Sequence, residues 1–235
     1  MLLLASDFDG TLAPIQRDPE SVAIDRALAG ILSEAAADPL VAVAVLSGRD
    51  VDDLEKRLGP LPCWISGSHG LELLGPDRQE VRRQPAWVST LPATLTDSIR
   101  AARLRLEPKK FGVALHWRDV EGVSLDHPLI AQFEHWAAEA GLEIVRGRAV
   151  SEGRRPGGGK LEALQSIAGI VGAKRVIFAG DDLTDFPALQ WAATRGRGLF
   201  LASEERQPPP GVEVVDSRTT LAEIFRGEMI NAKNA

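Results

Sequence analysis

Short runs of apolar residues recur along the chain and alternate with segments in which apolar residues keep a helical spacing. The runs lie at residues 2–5, 41–46, 176–179 and 199–202. None of them alternates with polar positions, which is typical of strands buried on both faces of a parallel sheet. The helical spacing covers residues 24–35, 51–58 and 161–171. Strands that alternate with helices predict βαβ units and an α/β core.

The middle of the chain has a different pattern. The elements predicted there are a long helix at 88–106, a strand at 111–117, a second helix at 126–141 and a hairpin at 142–152. This order, helix–strand–helix–strand–strand, predicts a small α+β module inserted into the α/β domain. We place the module at 85–155, between core segments 1–84 and 156–235, because its edges have linker-like proline and glycine.

Composition narrows the class of protein. The 235 residues carry a net charge of −6 and no polybasic run, so we expect neither a nucleic-acid nor a membrane partner. The single cysteine, Cys63, excludes an internal disulfide framework and fits a reducing compartment. The chain shows no signal peptide and no run of about 18 apolar residues, so the expected location is cytoplasmic. No uncovered helix stripe stands out, and a monomer is the working expectation.

Polar residues follow three of the apolar runs directly. Asp7 and Asp9 lie two apart at a predicted strand end, so their side chains point the same way. The other polar or flexible residues at strand ends and at the start of a helix are Ser47, Gly48, Arg49, Lys160, Asp181, Asp182 and Asp185. Ligands of open parallel sheets bind beyond the carboxyl ends of the strands. Carboxylates favour Mg²⁺, whereas a hydroxyl, backbone amides and a lysine favour phosphate, and together they predict a Mg²⁺ site beside a phosphoryl site.

These segments resemble a known superfamily. "DFDGTL", "SGR", a lone lysine before a helix and "GDDLTD" are similar, in order, to the four motifs of the haloacid dehalogenase superfamily. The inserted module resembles its C2-type cap, which implies a Rossmann-like parallel-sheet core with an α+β cap domain. Segments 67–73, 106–118 and 147–160 further resemble the trehalose-6-phosphate phosphatases. Phe186 and Leu161 depart from that family's pattern, which usually has Glu and Gly there.

The resemblance implies Mg²⁺-dependent hydrolysis of trehalose 6-phosphate to trehalose and phosphate. It makes Asp7 the nucleophile that forms an aspartyl-phosphate, and Asp9 the general acid and base. Ser47 and Lys160 would hold phosphoryl oxygens. The implied metal ligands are Asp7, the Asp9 backbone carbonyl and Asp181. Gly48, Arg49, Asp182 and Asp185 would bind phosphate or support the residues that do. The implied sugar-binding residues are His69, Glu107, Lys109, His116, Arg118 and Glu152.

Other interpretations remain open. A sibling phosphatase acting on sucrose phosphate or mannosylglycerate phosphate would share the core motifs. A non-catalytic receiver-like module phosphorylated on Asp7 would also carry an acid cluster and a lysine, but the inserted module argues for an enzyme that encloses a small substrate. His69 is interpreted as a substrate contact, with a structural hydrogen bond as the alternative. A nucleotide P-loop before Lys160 is excluded, because Arg154 and Leu161 occupy positions that need Gly and Ser or Thr.

Overall fold

The computed structural model describes residues 1–16, 21–87, 89–147, 149–202 and 206–234. The helices are α1 (Arg26–Ala36), α2 (Val51–Leu58), α3 (Ala93–Ala101), α4 (Pro128–Glu139), α5 (Lys160–Ile170), α6 (Phe186–Ala193) and α7 (Arg218–Lys233). The first strands are β1 (Leu2–Asp7), β2 (Val41–Leu46), β3 (Trp64–Gly67), β4 (Glu72–Leu74), β5 (Glu80–Arg83) and β6 (Arg105–Lys109). They are followed by β7 (Gly112–His116), β8 (Glu143–Gly147), β9 (Val150–Arg154), β10 (Arg175–Gly180), β11 (Gly196–Leu201) and β12 (Glu213–Val215).

The chain forms two compact units. The first consists of Met1–Arg83 and Gly158–Ala235, and the second of Gln84–Gly157. The eight-stranded sheet of the first unit has the order β12-β11-β10-β1-β2-β3-β4-β5. β1 lies between two parallel neighbours, β10 and β2. Its residues are buried along their whole length, which explains why the sequence there is continuously apolar up to the final acid.

Helices cover both faces of this sheet. Buried residues of α1, α2 and α7 form one apolar cluster with the sheet, and those of α5 and α6 form another. The four strands predicted from apolar runs and the three helices that alternate with them are present. The α/β class with a parallel sheet is therefore confirmed.

One edge of the large sheet differs from the prediction of parallel strands. β4 and β5 run antiparallel to their neighbours, whereas the strands from β12 to β3 are parallel. β3, β4 and β5 have only three or four residues each, and β5 is mostly exposed and charged. Strands of three or four residues are too short to show a clear periodic pattern in the sequence.

The second unit has a four-stranded antiparallel sheet of order β6-β7-β9-β8, with α3 and α4 packed against it. The strand at 111–117 and the hairpin at 142–152 are confirmed as β7 and as β8 with β9. The helix predicted at 88–106 is present, but its predicted bounds are wrong. α3 covers only Ala93–Ala101, and Leu106 lies in β6. Arg103 has a positive φ of 60°, which turns the chain out of the helix and into that strand. Val88 and Arg148 fall outside the described residues.

Within the ranges given above, no helix combines the length and the apolar character that crossing a bilayer requires.

The packing of the core predicts that replacing a buried apolar residue of the first unit destabilises the protein much more than replacing an exposed one. Phe178 of β10 is fully buried, whereas Ile170 at the end of α5 is 52% exposed. Phe178→Ala should lower the free energy of unfolding by about 3–5 kcal/mol, because it leaves a cavity in the core. Ile170→Ala should change it by about 0.5 kcal/mol or less. Urea denaturation measures both values, and equal losses would contradict the packing described here.

Candidate active site

The carboxyl ends of three neighbouring strands bring the candidate residues together. Asp7 is the last residue of β1, Ser47 follows β2 directly, and Asp181 follows β10 directly. Because these strands are parallel neighbours, their ends lie at one edge of the sheet. Carboxylate oxygens of Asp7, Asp181 and Asp185 lie within 4.8 Å of one another there.

Lys160 is held between two of these carboxylates. Its Nζ donates to Asp7 Oδ1 at 2.7 Å and to Asp185 Oδ1 at 2.6 Å. The side chains of all three residues are at most 5% exposed. Burial disfavours the ammonium charge, but the carboxylates of Asp185 and Asp7 outweigh burial and raise the pKa of Lys160. Lys160 is therefore a fixed positive charge beside Asp7.

Asp185 acts as an anchor for its neighbours. Its Oδ2 accepts from the backbone amides of Asp182 at 3.0 Å and Asp181 at 3.2 Å, while its Oδ1 accepts from Lys160. Gly180 permits this approach, since a Cβ there would lie 2.5 Å from the Asp185 carboxyl carbon. Both oxygens of Asp185 are thus engaged by donors of the chain. Asp182 caps the short turn Leu183–Asp185 and forms an ion pair with Arg206.

The charges of the cluster fit a divalent cation. Three carboxylates and one ammonium leave a formal charge of −2 in a largely buried place, and burying unbalanced charge is costly. Burial raises the pKa of Asp7 well above its ordinary value and also raises the pKa of Asp181. Oxygen-only donor sets suit Mg²⁺ better than Zn²⁺. With Asp185 engaged by Lys160 and by amides, Asp7 and Asp181 are the carboxylates that can offer ligand atoms.

Asp9 and Arg49 form a pair beside the cluster. Arg49 donates from Nε to Asp9 Oδ2 and from Nη2 to Asp9 Oδ1, both at 2.6 Å. Its Nη1 donates to Asp53 Oδ2 at 2.7 Å, and Asp53 also accepts from Arg57 at 2.8 Å. The planar guanidinium fits a carboxylate through two parallel bonds. Arg49 therefore orients Asp9 in this structure.

Ser47, Gly48 and His69 belong to one tightly packed region. Ser47 is buried, and its Oγ accepts from the Arg49 amide at 3.1 Å. The His69 amide donates to the Ser47 carbonyl at 2.9 Å. A Cβ at Gly48 would lie 2.6 Å from His69 Nε2, so glycine is required for the imidazole to pack there. His69 thus lies against the Ser47 loop.

A buried glutamate that sequence reasoning missed supports this region. The turn Ser68–Gly70 has positive φ throughout, with values of 50° and 54° at its two non-glycine residues. Glu72 is fully buried and accepts from Ser68 Oγ at 3.0 Å and from the Val51 amide at 3.3 Å, while Arg83 lies 3.3 Å away as its ion-pair partner. Glu72 thereby ties the turn to the start of α2. The available signal was an acid inside the apolar run 71–74.

The sugar-binding candidates of the second unit share one face of its sheet. Glu107 lies opposite Ala114 of β7, which in turn lies opposite Glu152 of β9. Lys109 Nζ donates to Glu152 Oε2 at 2.8 Å, and His116 Nε2 lies 2.8 Å from Glu107 Oε2. The structure thus brings four of the five candidates together in two pairs. Arg118 lies two residues beyond β7 and is exposed.

This architecture is the fold of the haloacid dehalogenase-like phosphatases. The solved C-terminal domain of trehalose-6-phosphate phosphatase from C. albicans matches it with a TM-score of 0.74 and 20% identity, over 98% of this chain and 92% of that chain. The family model for trehalose-phosphatase matches residues 5–199. The chain therefore belongs to the trehalose-phosphatase family.

Curated relatives are longer than this chain. A trehalose-phosphate phosphatase of Mycolicibacterium paratuberculosis is 35% identical over 210 residues, which cover 81% of this chain and 50% of that protein. An uncharacterized glycosyl hydrolase of Mycobacterium tuberculosis is 36% identical over 214 residues, which cover 85% of this chain but 16% of that protein. The chain thus spans at most half the length of these relatives.

The pair between Glu107 and His116 predicts a pH-dependent contribution to stability. The hydrogen bond from His116 lowers the pKa of Glu107 from 4.5 to about 2. Since the folded state holds the ionised form, the contribution is complete above the unfolded pKa and is lost as pH falls from 4.5 towards 2. Glu107→Gln should therefore lower the thermal midpoint at pH 7, by an amount that shrinks below about pH 4.5.

Differential scanning calorimetry between pH 3 and pH 7 measures this effect. Because Glu107 is partly exposed, Glu107→Gln should lower the free energy of unfolding at pH 7 only modestly, by about 1 kcal/mol or less. Glu121→Gln, at an exposed position of the same unit, is the matched control and should show no such trend. If the thermal midpoints of wild type and Glu107→Gln differed by the same amount at every pH, the charge of the Glu107 carboxylate would not contribute to stability.

Proposed function

We propose that the chain is a Mg²⁺-dependent phosphatase that hydrolyses trehalose 6-phosphate to trehalose and inorganic phosphate. The arrangement of charged groups around Asp7 is the observation that best supports this proposal. Asp7, a buried carboxylate at a strand end, is bonded to Lys160 and lies beside Asp181. A carboxylate fixed next to a positive charge and a cation-binding acid is equipped to attack phosphorus.

In the first step, an oxygen of Asp7 forms a bond to phosphorus while the bond from phosphorus to the sugar oxygen breaks. Lys160, with its fixed charge beside Asp7, holds a phosphoryl oxygen, and so does the Ser47 hydroxyl. The departing sugar oxygen takes a proton from the carboxyl group of Asp9. Both Asp9 oxygens accept from Arg49 in this structure, so proton donation requires one of them to turn away from the guanidinium.

In the second step, water attacks the phosphorus of the aspartyl-phosphate and gives a proton to Asp9. The bond between phosphorus and the Asp7 oxygen breaks, which regenerates the free carboxylate and releases phosphate. Asp7, Asp181 and the backbone carbonyl of Asp9 would hold Mg²⁺, and Asp185 would keep Lys160 and the 181–182 amides in place. When bound, Mg²⁺ offsets negative charge on the phosphoryl oxygens.

We propose that the second unit is a cap domain, with edges near residues 85 and 155, that recognises the sugar. The two carboxylates, the lysine and the histidine on its polar sheet face are the kinds of hydrogen-bonding group that sugar hydroxyls require; they belong to Glu107, Lys109, His116 and Glu152. Their pairing supports this role, because each group is already oriented by a neighbour within 2.8 Å. Arg118 and His69 are proposed as additional contacts. A cap would also exclude water during the first step.

Phosphate release from trehalose 6-phosphate tests the reaction, the metal and the nucleophile together. We expect activity with Mg²⁺, none with EDTA, and a loss of at least about 10³-fold in kcat for Asp7→Asn, since the amide cannot attack phosphorus. Asp97→Asn replaces an exposed carboxylate of α3 and should retain wild-type activity.

Sucrose 6-phosphate and glucose 6-phosphate in the same assay test the substrate. Activity on another sugar phosphate, with the same losses, would keep the mechanism and reassign the substrate to a sibling phosphatase. Inactivity on every phosphate ester tried would contradict the proposal and favour a non-catalytic module.

The proposed sugar-binding role predicts that replacing Lys109 impairs the reaction of a sugar phosphate but not that of a phosphate ester without a sugar. Lys109→Met should raise KM for trehalose 6-phosphate by about tenfold, because it removes a donor and leaves the Glu152 carboxylate without its 2.8 Å partner. It should barely change kcat/KM for p-nitrophenyl phosphate, which has no sugar. Arg100→Gln, at an exposed position on α3, is the control for both substrates. An equal decrease in kcat/KM for both substrates would show that Lys109 does not bind the sugar.

A further inference from the structure

Arg218 connects the first turn of α7 to the loop that follows β1. Ser217 caps the helix, and its Oγ accepts from the Thr220 amide at 3.1 Å, which places Arg218 at the first helical position. From there the guanidinium donates to the carbonyls of Thr11 at 2.9 Å, Ala13 at 3.2 Å and Gly10. Arg218 lies outside residues 5–199, which the family model matches.

These bonds complete the hydrogen bonding of the loop at residues 10–13. The Leu12 carbonyl accepts from the amide of the residue that caps α1, and the Ala13 carbonyl accepts from the Gly10 amide, both at 2.8 Å. Among the hydrogen bonds that the described residues form, Arg218 supplies the donors to the carbonyls of Gly10 and Thr11. Thr11 is fully buried, so its carbonyl needs a partner from the protein.

The same loop fixes the carboxylate of Asp181. Thr11 Oγ1 donates to Asp181 Oδ1 at 2.8 Å. Gly10 has a φ of +89°, and a Cβ there would collide with the Asp181 carboxylate. The loop therefore both bonds Asp181 and limits where its side chain can lie.

We propose that Arg218 is a positioning residue that orients Asp181 for a divalent cation, acting through the loop and Thr11. This inference rests on the proposed function, because it assigns Asp181 to the metal site. The guanidinium suits the task, since its planar fork reaches several carbonyls at once, whereas an ammonium is a point donor on a flexible stem. Removing Arg218 frees the loop, and Asp181 loses its fixed orientation. Groups that orient metal ligands commonly change metal affinity when they are replaced.

Isothermal titration of the full chain with Mg²⁺, without substrate, is the primary test. Arg218→Ala and Arg218→Lys should each weaken Mg²⁺ binding by at least about tenfold. Arg226→Ala, an exposed arginine on the same helix, should bind Mg²⁺ within about twofold of wild type. Millimolar guanidinium chloride should partly restore binding to Arg218→Ala, because it returns the missing donors.

Phosphate release as a function of Mg²⁺ concentration gives an independent readout. The Arg218 variants should need more Mg²⁺ for half-maximal rate but approach the wild-type kcat at saturation. A role in stability alone would lower the thermal midpoint and leave the Mg²⁺ dependence unchanged, which would overturn the inference. Wild-type Mg²⁺ binding by Arg218→Lys would also overturn it, since charge without the fork would then suffice.

Thr11→Val keeps the test decisive if the Arg218 variants do not fold. It removes only the hydroxyl that bonds Asp181, so it should weaken Mg²⁺ binding to a similar extent, and unchanged binding would overturn the inference. Where the Arg218 and Thr11 variants both fold, the double variant should weaken Mg²⁺ binding by less than the product of the two single fold-changes. The reason is that both residues act on Asp181 through the same loop. A wild-type chain that neither binds Mg²⁺ nor releases phosphate would refute the proposed function itself. If the wild type binds Mg²⁺ and releases phosphate, and the variants bind Mg²⁺ as tightly as the wild type, only the role of Arg218 would be refuted.

Discussion

The buried ion-pair cluster around Lys160 is the constraint on which the first unit's site depends. Lys160 binds Asp7 and Asp185 with side chains that are almost wholly excluded from solvent. Breaking one partner of such a cluster would leave an uncompensated buried charge, which is far more costly than the net gain of forming the pair. The end of β1, the start of α5 and the turn before α6 are therefore held in one arrangement. Gly180 makes the approach of Asp185 sterically possible, and Gly158 makes room for the His69 carbonyl just before α5.

The two units use charge differently. In the first unit, Lys160 is buried with Asp7 and Asp185 and is hydrogen-bonded to both. Asp185 also accepts from backbone amides, so several partners determine its position. In the second unit, the paired residues lie on a half-exposed sheet face, where ion pairs contribute little to stability. Their relative positions are set by strand register. This difference fits the proposed division of labour between a rigid reaction centre and a surface that binds hydroxyl groups.

Sequence patterns predicted elements where a segment is long and has one clear period. The buried strands and amphipathic helices of the first unit were identified in this way, apart from the short strands at one edge of its sheet. The exception in the second unit is instructive. Leu106 fits the helical spacing of α3, yet it lies in β6, because the positive φ at Arg103 redirects the chain and pairing with β7 decides its conformation. Tertiary pairing overrides a local period in such cases.

The sequence by itself determined which chemical groups would meet. Parallel strands place their carboxyl ends at one edge, so Asp7, Ser47 and Asp181 were expected at that edge once the strands were recognised. The strand order β10-β1-β2, which makes them neighbours, is a property of the tertiary structure. Only the tertiary structure decided which donor binds which carboxylate. Arg49 reaches Asp9 across 40 residues, and Arg218 reaches Thr11 across 207. No local pattern encodes such pairings, because they depend on how separate elements pack rather than on spacing along the chain.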